Sequence, residues 1–322
     1  MDTSLVKLFN KAVTVSTISE YCRNNFANLV KFLHPTSSPY LSGDTFRSFC
    51  HVRIDENATR SEIREQVKRL TTLTNEKAIR LFVDLHVVQS EDTEADLIGS
   101  LTRLPLETRQ KTFVLFHNHD KIPDQNFFKQ LTMLGCSPFS VNAVGISDFV
   151  RPLPIGLENR WRLNNGRVGP FKRLQSKVQS RAARENLVFA AFNVHTNASE
   201  REVARLACMS EGIPVIEDRI SPRKHRKHLL NSYFVISPPG NGLDCHRTWE
   251  AIYLGCVPVV LCDSLSEEFT TRLPIFAVKD WSDFFKLSTD QKLAAYEQLR
   301  KRSSDLAFDT AWKRRLEVLT TV

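Results

Sequence analysis

Strands and helices alternate along this sequence in two successive series. That rhythm predicts an α/β chain of two doubly wound parallel sheets facing a cleft, with helices at the C-terminus. Three observations carry the expectation. Short apolar runs such as Phe113-Val114-Leu115-Phe116 and Val257-Pro258-Val259-Val260 lack polar alternation, as strands covered on both faces require. Several intervening stretches place apolar residues at helical spacing. A polar, basic stretch at 158–184 separates the two series.

In chain order, residues 4–33 read as a helical segment ending at a loop that holds Pro35 and Pro39. In 61–73, Ile63, Val67 and Leu70 share one helical stripe. A strand at 79–88 follows, then a helix at 94–104, the strand at 113–116, a helix at 125–134 and a third strand at 141–146. Residues 158–184 read as a loop. Beyond it a strand is expected at 187–194, and Ser199-Glu200-Arg201-Glu202 reads as a capping box opening a helix that Gly212 ends. Further strands are expected at 213–216, 233–237, 257–261 and 274–278, and the charged segment 289–322 reads as a terminal helix pair. The division this implies is an N-terminal domain of 1–165 and a C-terminal domain of 166–322.

With 42% hydrophobic and 25% charged residues, the chain has the composition of a globular protein. Its net charge of +8 suits a polyanionic partner, whether nucleic acid, an anionic membrane surface or a phosphorylated substrate. Nucleic acid is the least favoured. The basic segments 219–228 and 167–184 lack interleaved stacking aromatics, and no helix-turn-helix or zinc-finger pattern occurs. Seven cysteines without a CxxC pair argue against a zinc ribbon or a disulfide framework and for a reducing compartment. The N-terminal apolar patches around Leu5 and Val13 are short and broken by Lys7 and Lys11, and no run approaches the ~20 apolar residues of a membrane span. The expectation is a soluble, cytoplasmic chain whose only membrane role is peripheral.

The richest chemistry lies in 233–260. A buried strand runs into Ser237-Pro238-Pro239-Gly240-Asn241-Gly242, and then into a helix expected to be capped near Asp244. Gly240 and Gly242 allow close approach of a ligand to the backbone, and a helix N-terminus offers free N–H groups and a favourable dipole to a diphosphate. Arg247 and Glu250, at i and i+3, share a helix face. The guanidinium suits a diphosphate and the carboxylate suits the two hydroxyls of a ribose. Read without further context, the same residues make an ordinary turn followed by a solvated ion pair.

The run Ser237-Pro238-x-Gly240-x-Gly242-x-Asp244-x-x-Arg247-x-x-Glu250-Ala251-x-x-x-Gly255-Cys256-Val257-Pro258-Val259 resembles the C-terminal signature of exostosin-type glycosyltransferases. A weaker likeness extends over 187–281, including Phe192-Asn193, Thr196-Asn197 and Arg201. The resemblance implies the GT-B architecture of two Rossmann-like domains, with a nucleotide sugar, UDP- or GDP-linked, held mainly by the C-terminal one. It also implies inverting transfer to a glycan or glycolipid acceptor, as in polysaccharide biosynthesis, with no cofactor and no essential metal. Ser237, Gly240, Asn241, Gly242, Asp244, Arg247, Glu250 and Asn193 become the donor-binding candidates. Arg223 joins them from the basic segment, where 223–228 reads as a loop that faces the nucleotide diphosphate or an anionic acceptor.

Three polar clusters mark the N-terminal half: Gly43-Asp44-Thr45-Phe46-Arg47, His117-Asn118-His119-Asp120 and Pro154-Ile155-Gly156-Leu157-Glu158-Asn159. Ligands of open parallel sheets bind beyond the carboxyl ends of strands, where His117–Asp120 should sit. An inverting transfer needs a base for the acceptor hydroxyl. Asp44 and Asp120 are the candidates, with His117 behind them. Arg47, Asn118, Glu158 and Asn159 are candidate acceptor or cleft residues. Asp also favours turns and helix caps, which is the plainer role for Asp44 and Asp120. The spacing Asp84-x-His86 with His117-x-His119 offers a second class of function, a metal-dependent hydrolase. A non-catalytic polyanion-binding module is the third.

Overall fold

The computed structural model describes residues 33, 36–145, 148–162, 165–179, 184–218 and 220–318. The helix expected at 4–33 lies outside them except for Leu33, as do residue 219 and the end of the expected C-terminal pair.

Among the described residues, two five-stranded sheets, parallel throughout, form the framework. The first contains β1 (Val52–Ile54), β2 (Ile79–Asp84), β3 (Thr112–His117), β4 (Ser137–Ser140) and β5 (Arg151–Pro152), paired in that order. All six residues of β3 are buried, which is why its sequence shows no alternation. The second contains β6 (Asn186–Ala191), β7 (Val215–Ile216), β8 (Ser232–Ile236), β9 (Val257–Leu261) and β10 (Phe276–Val278), in the order β10-β9-β8-β6-β7. Its order reverses at β6, so this sheet is doubly wound with a switch point between β6 and β8. The first sheet runs in sequence order without a reversal and is therefore not doubly wound, in contrast to the expectation. Its crossover helices pack on one another, Arg60–Arg69 on Glu91–Thr102 and that helix on Gln125–Met133. Right-handed crossovers in an unreversed sheet require this one-sided arrangement.

The far side of the first sheet is closed by the other end of the chain. Trp312, in the last helix Asp309–Val318, packs edge-on against Phe46 at 5.5 Å, and Asp309 N–H donates to Pro39 O at 3.0 Å. Tyr253 joins the two halves. Its ring meets Tyr40 at 4.7 Å, while its hydroxyl accepts from Leu41 N–H and donates to Ala307 O. The terminal helix, counted with the C-terminal half by sequence, thus packs on the N-terminal one.

Four local expectations are corrected. The third strand is Ser137–Ser140 rather than 141–146, because Asn142 takes a left-handed backbone (φ 56°) and turns the chain there. The stretch 158–184 contains a helix, Val168–Gln179, which buries Val168 and Phe171. The helix before Gly212 is Ala198–Ser210, and Asn197 rather than Ser199 caps it by accepting from Glu200 N–H. The basic segment after residue 219 forms a helix, Pro222–Asn231, capped by Ser221, rather than a loop.

Candidate functional site

The loop after β8 and the helix His246–Tyr253 form as the sequence implies, although several residues serve structure in place of ligand. Ser237 is buried, its hydroxyl 3.0 Å from Thr248 Oγ1, so it ties the loop to the helix. Gly240 N–H bonds Gly242 O within the loop, and a Cβ at Gly240 would lie 3.0 Å from the Arg201 guanidinium. A Cβ at Gly242 would lie 2.7 Å from the Asn142 amide. Close approach is thus required at both glycines, but by protein side chains. Asn241 and Asn193 are exposed, and Asn193 caps a short turn by accepting from His195 N–H.

Asp244 does not cap the helix. Cys245 holds the N-cap position without a side-chain bond; Thr248 N–H donates to Cys245 O at 3.0 Å, and the N–H groups of His246 and Arg247 lie ahead of the intrahelical ladder. The Asp244 carboxylate turns inward and accepts from Ile155 N–H at 2.8 Å and from the Trp249 indole at 2.8 and 2.9 Å. Its own N–H donates to Asn142 Oδ1, whose amide donates in turn to Asp120 O. Asp244 is therefore a latch between the two halves. Burial pushes its carboxyl up to about 6, against the opposing pull of those donors.

Arg247 presents the least satisfied charge at this site. Its Nε and Nη1 are sealed from solvent and bond nothing, and its guanidinium carbon stands 5.8 Å from the centre of the Phe192 ring. Buried donors are almost always paired, and an unpaired charged one is expensive, so an acceptor at Nε and Nη1 would remove that cost. One turn further, Glu250 is pushed up to about 7 by burial, offset by His246, Arg226 and Arg247. His225 Nε2, also sealed and unbonded, lies 3.6 Å from Glu250 Oε2. Burial, with Arg247 and Arg226 nearby, pushes His225 down to about 4, so it is neutral. Buried Arg201 completes the wall, donating to Pro239 O and Asn193 O.

Arg223 stands elsewhere. It is exposed in a groove of about 1290 Å³ between the helices Val168–Gln179 and Pro222–Asn231, with Arg173, Lys177, Lys224 and Lys227. His225 and Arg226 are the members of its segment that turn toward Glu250. Arg226, Leu229 and Leu230 fall at i, i+3 and i+4 on the buried face of this helix, a signal hidden once the segment is read as a loop.

Across the cleft, Asp44 and His117 are buried and hydrogen-bonded, whereas Asp120 stands at the surface. Asp44 is buried and accepts from Arg160 N–H at 2.6 Å, tying the first described helix, Gly43–Phe49, to the linker. Arg47 makes a two-point pair with Asp55 at 2.7 Å. His117 is buried, accepts from Asn118 N–H at Nδ1 and approaches Pro154 O at 3.3 Å through Nε2; burial pushes it down to about 4 and keeps it neutral. Asp120 is exposed, and its backbone carbonyl rather than its side chain holds Asn142.

What does converge at the carboxyl ends of β2 and β3 is a different set. His86 Nδ1 lies 2.7 Å from Asp84 Oδ1, and Asn118 Nδ2 donates to Asp84 Oδ2 at 2.7 Å. Asn159 Nδ2 donates to Asn118 Oδ1, while Asn159 Oδ1 accepts from Asp44 N–H. Asn118 has φ 77°, an uncommon conformation for a non-glycine residue. A pocket of about 130 Å³ opens here, lined by His86, Asn118, Glu158, Asn159, Trp161 and, from the other half, His246. His246 lies 2.8 Å from Gly156 O and 3.5 Å from Glu158.

The four-residue metal set of the hydrolase reading does not assemble, since His117 faces inward and His119 Nδ1 accepts from Lys121 N–H. Glu56, Asp84 and His86 bring ligand-type atoms within 4.8 Å of one another. Both Asp84 oxygens already accept hydrogen bonds and His86 Nδ1 is committed to Asp84, so Asp84, His86 and Asn118 form a hydrogen-bonded set. Cys50, Cys136, Cys208, Cys245, Cys256 and Cys262 are free thiols. No helix among the described residues is long and apolar enough to cross a membrane. No protein-family model matches the chain, and no curated protein matches it.

Proposed function

We propose that the chain is a nucleotide-sugar-dependent glycosyltransferase of GT-B type, with the donor on the second sheet and the acceptor on the first. The observation that carries the reading is Arg247: a guanidinium whose Nε and Nη1 are sealed from solvent and unbonded, in the first turn of a helix, beyond a Gly-containing loop at the switch-point side of a parallel sheet. A diphosphate supplies the acceptors that Arg247 lacks, and the helix N-terminus adds its dipole. Glu250 and His225 then face the ribose, a carboxylate acceptor beside a neutral ring nitrogen. Charge building on the departing diphosphate is met by these fixed groups, a role that requires no divalent cation. The pocket at His86 and Trp161 lies beside His246, the residue adjoining Arg247, so donor and acceptor meet across the cleft. A single displacement there inverts the anomeric centre.

Calorimetric titration with UDP and GDP tests the reading. Saturable binding of one of them, lost in Arg247→Ala with the fold intact by circular dichroism, is expected. Equal binding by the variant would sink the assignment. The groove around Arg173 and Arg223 favours polyanion binding as a second reading, which predicts salt-sensitive heparin binding and no response to either nucleotide.

A further inference from the structure

Neither carboxylate that the sequence nominates as a base is arranged to accept a proton from a sugar hydroxyl, since Asp44 is buried under the linker and Asp120 stands outside at the surface. His86 differs from both. It follows the last residue of β2 by two positions, at the end of the sheet where ligands of parallel α/β proteins bind. Its Nδ1 is held by Asp84, which fixes the proton on Nδ1 and leaves Nε2 as a bare acceptor on a half-exposed ring that lines the 130 Å³ pocket. Asp84 is itself immobilised: Asn118 holds its second oxygen, and Asn159 holds Asn118. The His119 ring stands edge-on to His86 at 4.6 Å and limits its rotation. Trp161, with Arg162 stacked on it at 4.1 Å, offers a flat apolar surface, and Glu158 and Asn159 offer hydrogen-bonding groups. An aromatic face with polar neighbours in a space close to one sugar ring is the chemistry of a carbohydrate site.

We propose that His86, oriented by Asp84, is the catalytic base of the transfer, and that the pocket beside it holds the acceptor sugar. The proposal rests on the donor-site reading above. The acceptor hydroxyl gives its proton to His86 Nε2 as its oxygen bonds the anomeric carbon. The bond from that carbon to the β-phosphate oxygen breaks, and the electron pair leaves with the nucleoside diphosphate beside Arg247. The imidazolium that results is stabilised by Asp84. Asp84 is a positioning residue, acting through His86.

The test uses the whole chain with the UDP- or GDP-hexose that the wild type turns over, with water and methyl glycosides as acceptors, and reads nucleoside diphosphate release. His86→Ala should lower the rate by about 10²–10⁴-fold while UDP or GDP still raises its melting temperature as in the wild type. Added imidazole should restore part of the rate. The groups facing His86 are Asp84, Glu56, Arg162 and the His119 ring, and Asp84 holds its proton affinity above the ordinary histidine value. The wild-type rate should therefore fall on the acid side as His86 protonates, and Asp84→Asn should move that limb to lower pH. Undiminished turnover in His86→Ala with an intact nucleotide response overturns the base alone. Absence of any nucleotide response in the wild type overturns the donor site and the base together. Rescue by a divalent cation in place of imidazole also overturns the base.

Discussion

Replacing Arg247 with methionine should stabilise the empty protein and abolish its response to nucleotide. Two guanidinium nitrogens are sealed without acceptors, and each such group costs about 1–3 kcal/mol. The stacking of the guanidinium on Phe192 at 5.8 Å returns roughly 0.5–2 kcal/mol. Methionine keeps most of the length and apolar volume and can itself contact the ring. The net gain should be about 2 kcal/mol, which for a chain of this length raises the melting temperature by roughly 3 °C. Nucleotide acts in the opposite sense. At a hundredfold excess over its dissociation constant, UDP or GDP adds about 2.7 kcal/mol to the wild type and nothing to the variant. Scanning calorimetry of both proteins, with and without nucleotide, reads both effects. A less stable methionine variant that still responds to nucleotide would refute the argument that this charge is stored for a ligand.

Glu250 gives a pH signature. Burial raises its carboxyl from 4.5 to about 7 among His246, Arg226, Arg247, Glu158 and His225, so the folded state holds this proton more tightly than the unfolded one. Its contribution to stability therefore declines as pH rises from 4.5 to 7 and is level above that. Urea titrations of wild type and Glu250→Gln should differ by up to roughly 3 kcal/mol across this window; a flat difference would contradict the burial argument. His117 and His225, both pushed down to about 4, drive wild-type stability the other way over nearly the same range, so only the comparison with the variant isolates Glu250. Gly242→Ala should cost about 1–3 kcal/mol, because its Cβ would meet the Asn142 amide, pinned between Asp120 O and Asp244 N–H; an unchanged urea midpoint would show that the latch gives way freely.

Most strands are legible in the sequence because their runs are buried on both faces, and β9 falls where its apolar pattern starts and stops. The third strand is displaced from its expected place for a definite reason. Val141 and Ala143 are as buried as strand residues, and hydropathy reports burial but not the left-handed backbone of Asn142 between them. The helix Val168–Gln179 is hidden by Gly169, Pro170 and a run of cations, although Val168 and Phe171 lie three apart on its buried face. At the site, Arg247 and Glu250 can be read together because one helix turn relates them. Relations between distant segments cannot: His225 beside Glu250, Asn142 filling the space at Gly242, and Asn118 locking Asp84 to His86. For that reason Asp244 resembles a cap in the sequence and proves to be a latch. The Asp84-x-His86 spacing, suggestive of metal ligands by itself, becomes a hydrogen-bonded dyad once Asn118 is in place.

The central claim is nucleotide-sugar chemistry without a metal, and one measurement addresses it directly. The purified chain, dialysed against excess EDTA, is incubated with a panel of UDP- and GDP-sugars, and free nucleoside diphosphate is quantified for wild type and Arg247→Ala. Release from at least one donor by the wild type is expected, undiminished by EDTA and abolished in the variant. A strict requirement for added Mg²⁺ or Mn²⁺, or equal release by Arg247→Ala, would contradict it.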